Sequence, residues 1–570
     1  MAFEVPIFRG GCEETMLDKQ PILVKGRPQT RDRGTTRRRF LQGVGAALAG
    51  AVPIGAGTAV AFPDVLSDPT SSTLNIKARP SQAYRKRLQA AVADRKINMP
   101  AHPTSGDEAL YPSGIASYTK GFAHNAFGEV DPTAYANYLA AVKSGKGADF
   151  DGLVLGGNTP LVDPQAGLAF DLESTDPSQN SIPAFNTLSS PAFAAQMIEA
   201  YWMALVRDVP FSQYGTDPKI AAAVAELNSN AAFRGPKPVT PQTLFRGFTA
   251  GETIGPYVSQ LLLQPFRVGT MPFNGYQTTL PGDFGTDPGS WLKLQNGMGP
   301  FGTADLDPTL RFLPHGRGLA EYVHIDVLYQ EYLFAALMLA GMGAPLNSGN
   351  PYGSLKSEAG FITFGFPMVH VLVAEVIARA LKNAWFQKWF VHRVTRPEEY
   401  AGLVHFTKTA HKSYPIDPSV LNSNAVAQLF ATTGNYFIPL SYPEGCPLHP
   451  SYPSGHATAA GAAATILKWF FDETFLIPDP LTTTDDGSGT APYTGADADQ
   501  ITLGAELNKL AANVGFGRVF AGIHWRQDIE QGVLLGEAVA ISLLRDQGHL
   551  YNENYAGFTF TKFDGTKITV

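Results

Sequence analysis

The chain has 570 residues, 44% of them hydrophobic and only 16% charged, a balance that suits a large buried core in two or more domains or one large helical body. A formal net charge of −7 argues against a nucleic-acid partner, which calls for a basic surface. With 57 Gly and 43 Pro, long irregular connections are expected between helices.

At the N-terminus, Thr36-Arg37-Arg38-Arg39-Phe40-Leu41-Gln42 precedes an uncharged run over 43–63, and Ala59-Val60-Ala61 fits a small-residue cleavage site. Residues 1–61 read as a twin-arginine export signal, which carries a folded protein to the periplasm or the extracellular space, with Met16 a candidate start. The competing reading is a basic arm leading into a transmembrane anchor. Pro53 and the many Gly and Ala make the run only weakly apolar, so no integral membrane segment is expected after signal removal. The signal holds nine basic and five acidic residues, which leaves the exported chain at −11. Cys12 leaves with it and Cys446 remains alone. That excludes an intrachain disulfide and a cysteine metal cluster, and leaves a thiol expected either to be buried or to react harmlessly.

Residues 62–315 are expected to form an N-terminal helical and loop-rich region. Helices are predicted at 81–93, 132–143 and 191–206; in the last, Phe193, Met197, Ala200, Tyr201 and Leu205 recur at helical spacing. Residues 207–315 are rich in Gly, Pro and aromatics and read as ordered loops with short helices. Residues 316–570 are expected to form a C-terminal helical bundle, with helices at 320–339, 366–390 or a turn beyond, 455–473, 503–512 and 519–545. Pro397 stops the second of these. Residues 558–563 and 566–570, around Asp564-Gly565, read as a small hairpin with a type I′ turn. No βαβ alternation is visible, so the pattern by itself supports a mainly helical protein.

Three segments in the C-terminal half share one chemical purpose: Lys388-Trp-Phe-Val-His392-Arg-Val-Thr-Arg396, Pro453-Ser454-Gly455-His456, and Arg518-Val-Phe-Ala-Gly-Ile-His524. A lysine, two arginines, a hydroxyl and a helix-start amide suit a tetrahedral oxyanion of several charges. Two histidines add a proton shuttle and a nitrogen ligand or nucleophile. Each segment has an ordinary reading. Ser454 could be a plain N-cap, and Tyr111-Pro112-Ser113-Gly114 repeats the pattern as a turn. Lys388, His392 and Arg396 could be a solvated stripe, on one helical face if the helix runs that far. His524 and Asp528 could be a surface i,i+4 pair, or Asp528 could fix the ring nitrogen that faces outward. Three such segments in one chain outweigh coincidence.

The ordered set resembles the signature shared by vanadium-dependent haloperoxidases and PAP2-type acid phosphatases. The usual phosphatase form has six residues between Lys and Arg and a Ser before the second Arg. Here seven residues separate Lys388 from Arg396, and Gly517 precedes Arg518. The longer spacing and His449, seven residues before His456, are similar to the bromoperoxidases of red algae and cyanobacteria. Asn125-Ala-Phe-Gly-Glu129-Val-Asp131, His315-Gly-Arg317-Gly-Leu-Ala-Glu321-Tyr and Gly349-Asn350-Pro351-Tyr352 share that likeness, which spans most of residues 75–550.

The resemblance implies an all-α fold of two packed four-helix bundles, with the site in the C-terminal one, and a vanadate cofactor. It makes His524 the metal ligand, with Lys388, Arg396, Ser454, Gly455, His456 and Arg518 binding the oxygens. His456 becomes the candidate proton shuttle, Lys388 the group that polarises peroxide, and His449 a tuning residue. Trp385 could wall the halide entry, with ordinary packing preferred, and His392 is at most an outer donor. Hydrogen peroxide, a halide (bromide first) and small organic acceptors would be the reactants, and a homodimer or larger homo-oligomer is expected. The alternative is a secreted acid phosphatase using the same residues, with His524 the nucleophile; a non-catalytic oxyanion carrier would need no poised histidine.

Overall fold

A computed structural model describes residues 78–300 and 302–570 of the chain. The expected export signal lies outside the described residues. The principal helices are α1 (Arg79–Arg95), α2 (Pro132–Ser144), α3 (Pro191–Val206), α4 (Gly316–Tyr322), α5 (Gln330–Met342), α6 (Phe366–Phe386), α7 (Pro397–Lys408), α8 (Gly455–Phe470), α9 (Leu503–Phe520) and α10 (Arg526–Gly548). The strands form three two-stranded antiparallel ribbons: β1 (Arg267–Val268) with β2 (Met271–Pro272), β3 (Leu481–Thr483) with β4 (Thr490–Pro492), and β5 (Thr559–Thr561) with β6 (Lys567–Thr569). The protein is therefore mainly helical, as expected, and residues 83–570 form one compact unit. Among the described residues no helix is long and apolar enough to cross a membrane.

The bundle is built around α8. All sixteen of its residues are buried, and it packs against α10, α6 and α9. Its run Gly455-His-Ala-Thr-Ala-Ala-Gly-Ala-Ala-Ala lets α10 approach until backbone meets backbone. A Cβ on Gly461 would lie 2.1 Å from the Val533 carbonyl oxygen, and one on Gly536 2.0 Å from that of Thr458. No larger residue fits this crossing without moving a helix.

Helix starts follow local chemistry. Asp131, Ser190, Ser454 and Thr502 each cap a helix through a side-chain oxygen that accepts from an N–H of the first turn, and Pro stands first in α2, α3 and α7.

Four expectations are corrected. The helix predicted at 320–339 is two helices, α4 and α5, joined by a loop over 323–329. The Val323 carbonyl, needed to continue the first helix, accepts from Arg518 Nη1 at 2.5 Å, and Val323, Ile325 and Val327 are β-branched. The helix predicted at 366–390 ends as a π-turn over Gln387–His392, after which Arg393 takes a left-handed conformation (φ 45°). Arg396 is thus the N-cap of α7, and Lys388, His392 and Arg396 do not share a helical face. The helices predicted at 503–512 and 519–545 divide elsewhere: α9 runs on through Arg518, Gly522 breaks the chain with φ 82°, and α10 begins after Trp525. Finally, the C-terminal hairpin lacks a type I′ turn. Gly565 N–H donates to Lys562 O at 3.0 Å and only Gly565 has positive φ. Asp564 Oδ1 accepts from Thr566 N at 2.9 Å, which favours a type I turn followed by a left-handed Gly.

Candidate active site

Ser454 stands where α8 begins. Its Oγ accepts from Ala457 N at 3.3 Å, and its own N–H donates to Asp528 O at 3.0 Å, which ties the start of α8 to the first turn of α10. The hydroxyl hydrogen and the unpaired first-turn amides then form a positive terminus. Gly455 is needed here because a Cβ would come within 3.0 Å of the Trp385 ring.

Arg396 links the three segments. Its Nε donates to His449 O at 3.0 Å and its Nη1 to Ile523 O at 2.8 Å. The same Nη1 lies 3.0 Å from His524 Nε2, and Nη2 lies 3.0 Å from His449 Nδ1. On its other edge, His524 Nδ1 is 2.6 Å from Asp528 Oδ2, which also accepts from Trp525 N at 3.0 Å and from Ser451 Oγ. A carboxylate on Nδ1 places the proton there and leaves the lone pair on Nε2. The surface-pair reading of His524 and Asp528 fails, since both are buried and His524 precedes the helix.

Lys388 is fully buried and gives two of its three hydrogens to Pro450 O and Ser451 O, each at 2.7 Å. Arg518 donates from Nη1 to Val323 O and to Tyr442 Oη at 3.3 Å, and lies over the Tyr442 ring at 5.2 Å. Arg518 Nε is buried with no partner. His456 Nε2 is 3.0 Å from Asp326 Oδ1, so Nδ1 is the ring nitrogen Asp326 leaves free. Asp326 Oδ2 is buried and unpartnered, and the carboxyl of Glu331 lies against it.

These groups feel one another. Burial pushes the Lys388 ammonium well below its ordinary range, and Arg396 and Arg518 add to the effect. Burial, followed by Arg396, Lys388 and Arg518, depresses His524 strongly. His449 is lowered by burial, Lys388 and Arg396, and His456 by burial, with Arg518 and Lys388 adding and Asp326 opposing. Burial alone would raise Asp326, but His456 and Arg518 hold it below the usual carboxylate value. Three cations and three neutral histidines therefore crowd one dry region. Lys388, Arg396 and Arg518 donate to carbonyls, a hydroxyl and imidazole nitrogens rather than to a carboxylate.

The structure brings Lys388, Arg396, His449, Ser454, Gly455, His456, Arg518 and His524 together, sets Trp385 beside them and leaves His392 aside. His392 turns its ring edge to Tyr452 at 4.7 Å, and its Nε2 has no partner. Trp385 walls the region from one side: its ring lies 4.8 Å from that of His449 and 5.8 Å from Lys388 Nζ, and its indole N–H donates to Val162 O at 3.1 Å. Arg393 is spent on Glu108, at 2.7 and 2.6 Å. The Tyr111–Gly114 segment is a turn, with Gly114 N on Tyr111 O at 2.9 Å. Cys446 is buried, and burial raises its thiol well above the usual value. Sequence reasoning missed Asp326 and Ser451. Ser451 is two residues before the Pro453 motif, a signal that was available; Asp326 lay hidden in a stretch that reads as continuous helix.

Residues 371–552 match the family model described as the second helical-bundle domain of VCPO. The chain is 35% identical over 536 residues to a vanadium-dependent bromoperoxidase of Ascophyllum nodosum, covering 89% of this chain and 94% of that one. It is 32% identical over 605 residues to a vanadium-dependent bromoperoxidase of Corallina pilulifera, covering 87% and 99%. Among solved structures, the homohexameric second vanadate-dependent bromoperoxidase of Ascophyllum nodosum superposes with a TM-score of 0.82 at 29% identity, over 92% of this chain and 95% of that chain. The chain belongs to the vanadium-dependent bromoperoxidase family.

Proposed function

We propose that the protein is a vanadate-dependent haloperoxidase that uses hydrogen peroxide to oxidise bromide to a hypohalous species, which halogenates small organic acceptors. The observation that carries this reading is the buried contact between Arg396 Nη1 and His524 Nε2 at 3.0 Å, with His524 fixed from behind by Asp528. It places a neutral imidazole nitrogen, its lone pair here accepting from Arg396, inside a cluster of cations. The donor set fits vanadate. Arg518 keeps an unpartnered buried Nε, Lys388 keeps one uncommitted hydrogen, and the start of α8 adds a hydroxyl and an amide. His524 would supply the nitrogen ligand, and Lys388, Arg396, Arg518, Ser454 and Gly455 the oxyanion contacts.

When bound, vanadate supplies Lewis-acid activation of peroxide without changing its own oxidation state. The remaining work belongs to the chain. Bromide gives two electrons to peroxide, and one proton is taken up for each hypobromous acid and water formed. His456, its Nε2 held by Asp326, is placed to pass that proton through Nδ1. Lys388 polarises the peroxide by donating its third hydrogen. His449 tunes this region through Arg396, and the Trp385 ring shields it from water. The chain is exported by the twin-arginine route to the periplasm or beyond, a reading supported by the Thr36–Gln42 pattern, and it works as a homo-oligomer, as the hexameric relative suggests. We read residues 62–315 as the supporting region and 316–570 as the catalytic bundle.

The test is to load the pure protein with vanadate and follow bromination of a phenolic dye with peroxide and bromide, beside hydrolysis of a phosphate ester. Bromination that requires vanadate supports the reading. Brisk ester hydrolysis with no bromination would make the protein an acid phosphatase instead.

A further inference from the structure

Glu331 is a buried carboxyl without a cation. Glu398 and Glu506, equally hidden, each accept from a lysine and from a backbone N–H: Lys120 Nζ and Cys446 N for the first, Lys509 Nζ and Gln260 N for the second. Glu331, in the first turn of α5, is 1% exposed, its Oε1 has no partner, and among the described residues it forms no ion pair. What it does meet is a second carboxyl. Asp326, on the loop just before α5, lies within hydrogen-bonding reach of it, and Asp326 Oδ2 is also buried without a partner. The hydroxyls of Tyr322 and Tyr332 beside Glu331 are buried and unpartnered too, while Tyr276, the third phenol near it, donates to Leu262 O at 3.1 Å.

Two carboxyls in contact in a dry region cannot both be charged, so they share one proton. Position decides which of them holds it. Asp326 Oδ1 faces His456 Nε2 at 3.0 Å, and Arg518 lies close enough to act on the same carboxylate. Glu331 faces Asp326 and the three phenols alone. The charge therefore stays on Asp326 and the proton on Glu331. The same asymmetry shows in their proton affinities: burial, with Asp326 adding, raises Glu331 well above the usual carboxylate value, whereas Asp326 is held down by His456 and Arg518 against its own burial.

We propose that Glu331 is a positioning residue for the proton step: its O–H donates to Asp326 Oδ2, spreads the charge of that carboxylate, and so sets the pH at which His456 takes up and gives back a proton. A hydrogen bond to a charged form makes it less basic. Asp326 then pulls less on the Nε2 proton, and His456, which also feels Arg518 and Lys388, returns to the neutral imidazole with Nδ1 free. The inference rests on the reading of His456 as the shuttle in bromide oxidation.

Infrared spectra of the full chain and pH–rate profiles of the vanadate-loaded protein test it together. The spectrum of the wild type minus that of Glu331→Gln at neutral pH is expected to show the C=O band of one protonated carboxylic acid. Glu331→Met, close to Glu in volume, donates nothing to Asp326. The alkaline fall in kcat for bromination, where His456 loses the proton it hands on, is expected to move up by about one pH unit in this variant. Glu331→Gln, whose amide still donates, should leave that inflection in place. In an Asp326→Asn background Glu331→Met should no longer move it. A purely structural residue would lower the rate or the melting temperature and leave the inflection where it was. Absence of the band overturns the proposal, as does a folded Glu331→Met protein with an unmoved inflection, or an equal shift in the Asp326→Asn background. Should Glu331→Met fail to fold, the band in the Glu331→Gln difference decides. A wild type that brominates nothing sinks the functional reading instead, and the band still shows which carboxyl keeps the proton.

Discussion

Buried cations occur in two settings in this protein. In the scaffold several are matched to carboxylates: Arg526 holds Glu199 through two contacts at 2.8 and 2.5 Å, Lys509 meets Glu506 at 2.6 Å, and Lys120 meets Glu398 at 3.0 Å, while Arg246 and Lys468 stand singly and donate to backbone carbonyls and to Asn508 Oδ1. In the pocket, Lys388, Arg396 and Arg518 are equally buried but face carbonyls, a hydroxyl and imidazoles. The consequence shows in their proton affinities. Burial is the largest single effect on Arg526, but Glu199 and Glu530 together outweigh it and raise the guanidinium, whereas Lys388 and Arg396, like the paired Lys509, are lowered, by burial first. A buried ion pair completes itself; a buried group of like charges is complete only with an anion. The first arrangement ties the fold together; the second gathers three cations whose charge an anion would offset.

Four experiments break or sharpen this contrast, from the largest expected effect to the smallest. Arg526→Met strands Glu199 and is expected to cost about 3–5 kcal/mol in denaturant unfolding. Lys388→Met in anion-free protein should cost clearly less, because it also removes repulsion from Arg396 and Arg518; equal losses would erase the distinction between the two settings. Arg518→Ala removes an oxyanion donor and is expected to slow bromide oxidation about 10²–10³-fold at saturating peroxide, with the circular dichroism spectrum unchanged. Orthovanadate at a hundred times its Kd should stabilise the wild type by about 2.7 kcal/mol, and Arg518→Ala by less at the same concentration, read from thermal melting.

The smallest effect concerns pH. His324 stacks on Tyr442 at 3.8 Å and pairs with Glu444 at 2.7 Å and Glu321 at 3.5 Å. Although burial works against it, these carboxylates raise it to about 9. A raised histidine stabilises fully below its unfolded value near 6.5 and loses that contribution as pH climbs through about 9. Allowing for screening at the half-open Glu444, about 2 kcal/mol should disappear over that window, and His324→Gln should flatten the alkaline limb of a melting series. His124 works in the opposite sense. Burial lowers it to about 4, so as pH falls from 6.5 toward 4 the unfolded chain takes up a proton that the folded chain refuses, and stability declines over that window.

Much of the pocket could be read from residue type and order alone, since an oxyanion cradle needs charges and a helix start whatever the fold. The helices with clean caps and stops were equally plain; α3 spans the predicted 191–206 without adjustment. What escaped was decided by tertiary contacts. Nothing local announces that Arg518 takes the Val323 carbonyl and opens a helix so that Asp326 can reach His456. The left-handed turn at Arg393, which swings Arg396 off the helix of Lys388 and sends His392 toward Tyr452, involves no Gly or Pro. The exposed α1 is a third case: a helix is predictable from its residues, but only the folded structure shows that none of its residues is buried.

The central claim is that a cluster of unmatched cations and the lone pair on His524 together hold one metal oxyanion. Equilibrium dialysis against orthovanadate, with vanadium counted by mass spectrometry, tests it most directly. The account predicts one vanadium per protomer in the wild type and almost none in a cooperatively folded His524→Ala variant. A wild type that takes up no vanadium, or a His524→Ala variant that binds it as tightly, would contradict it.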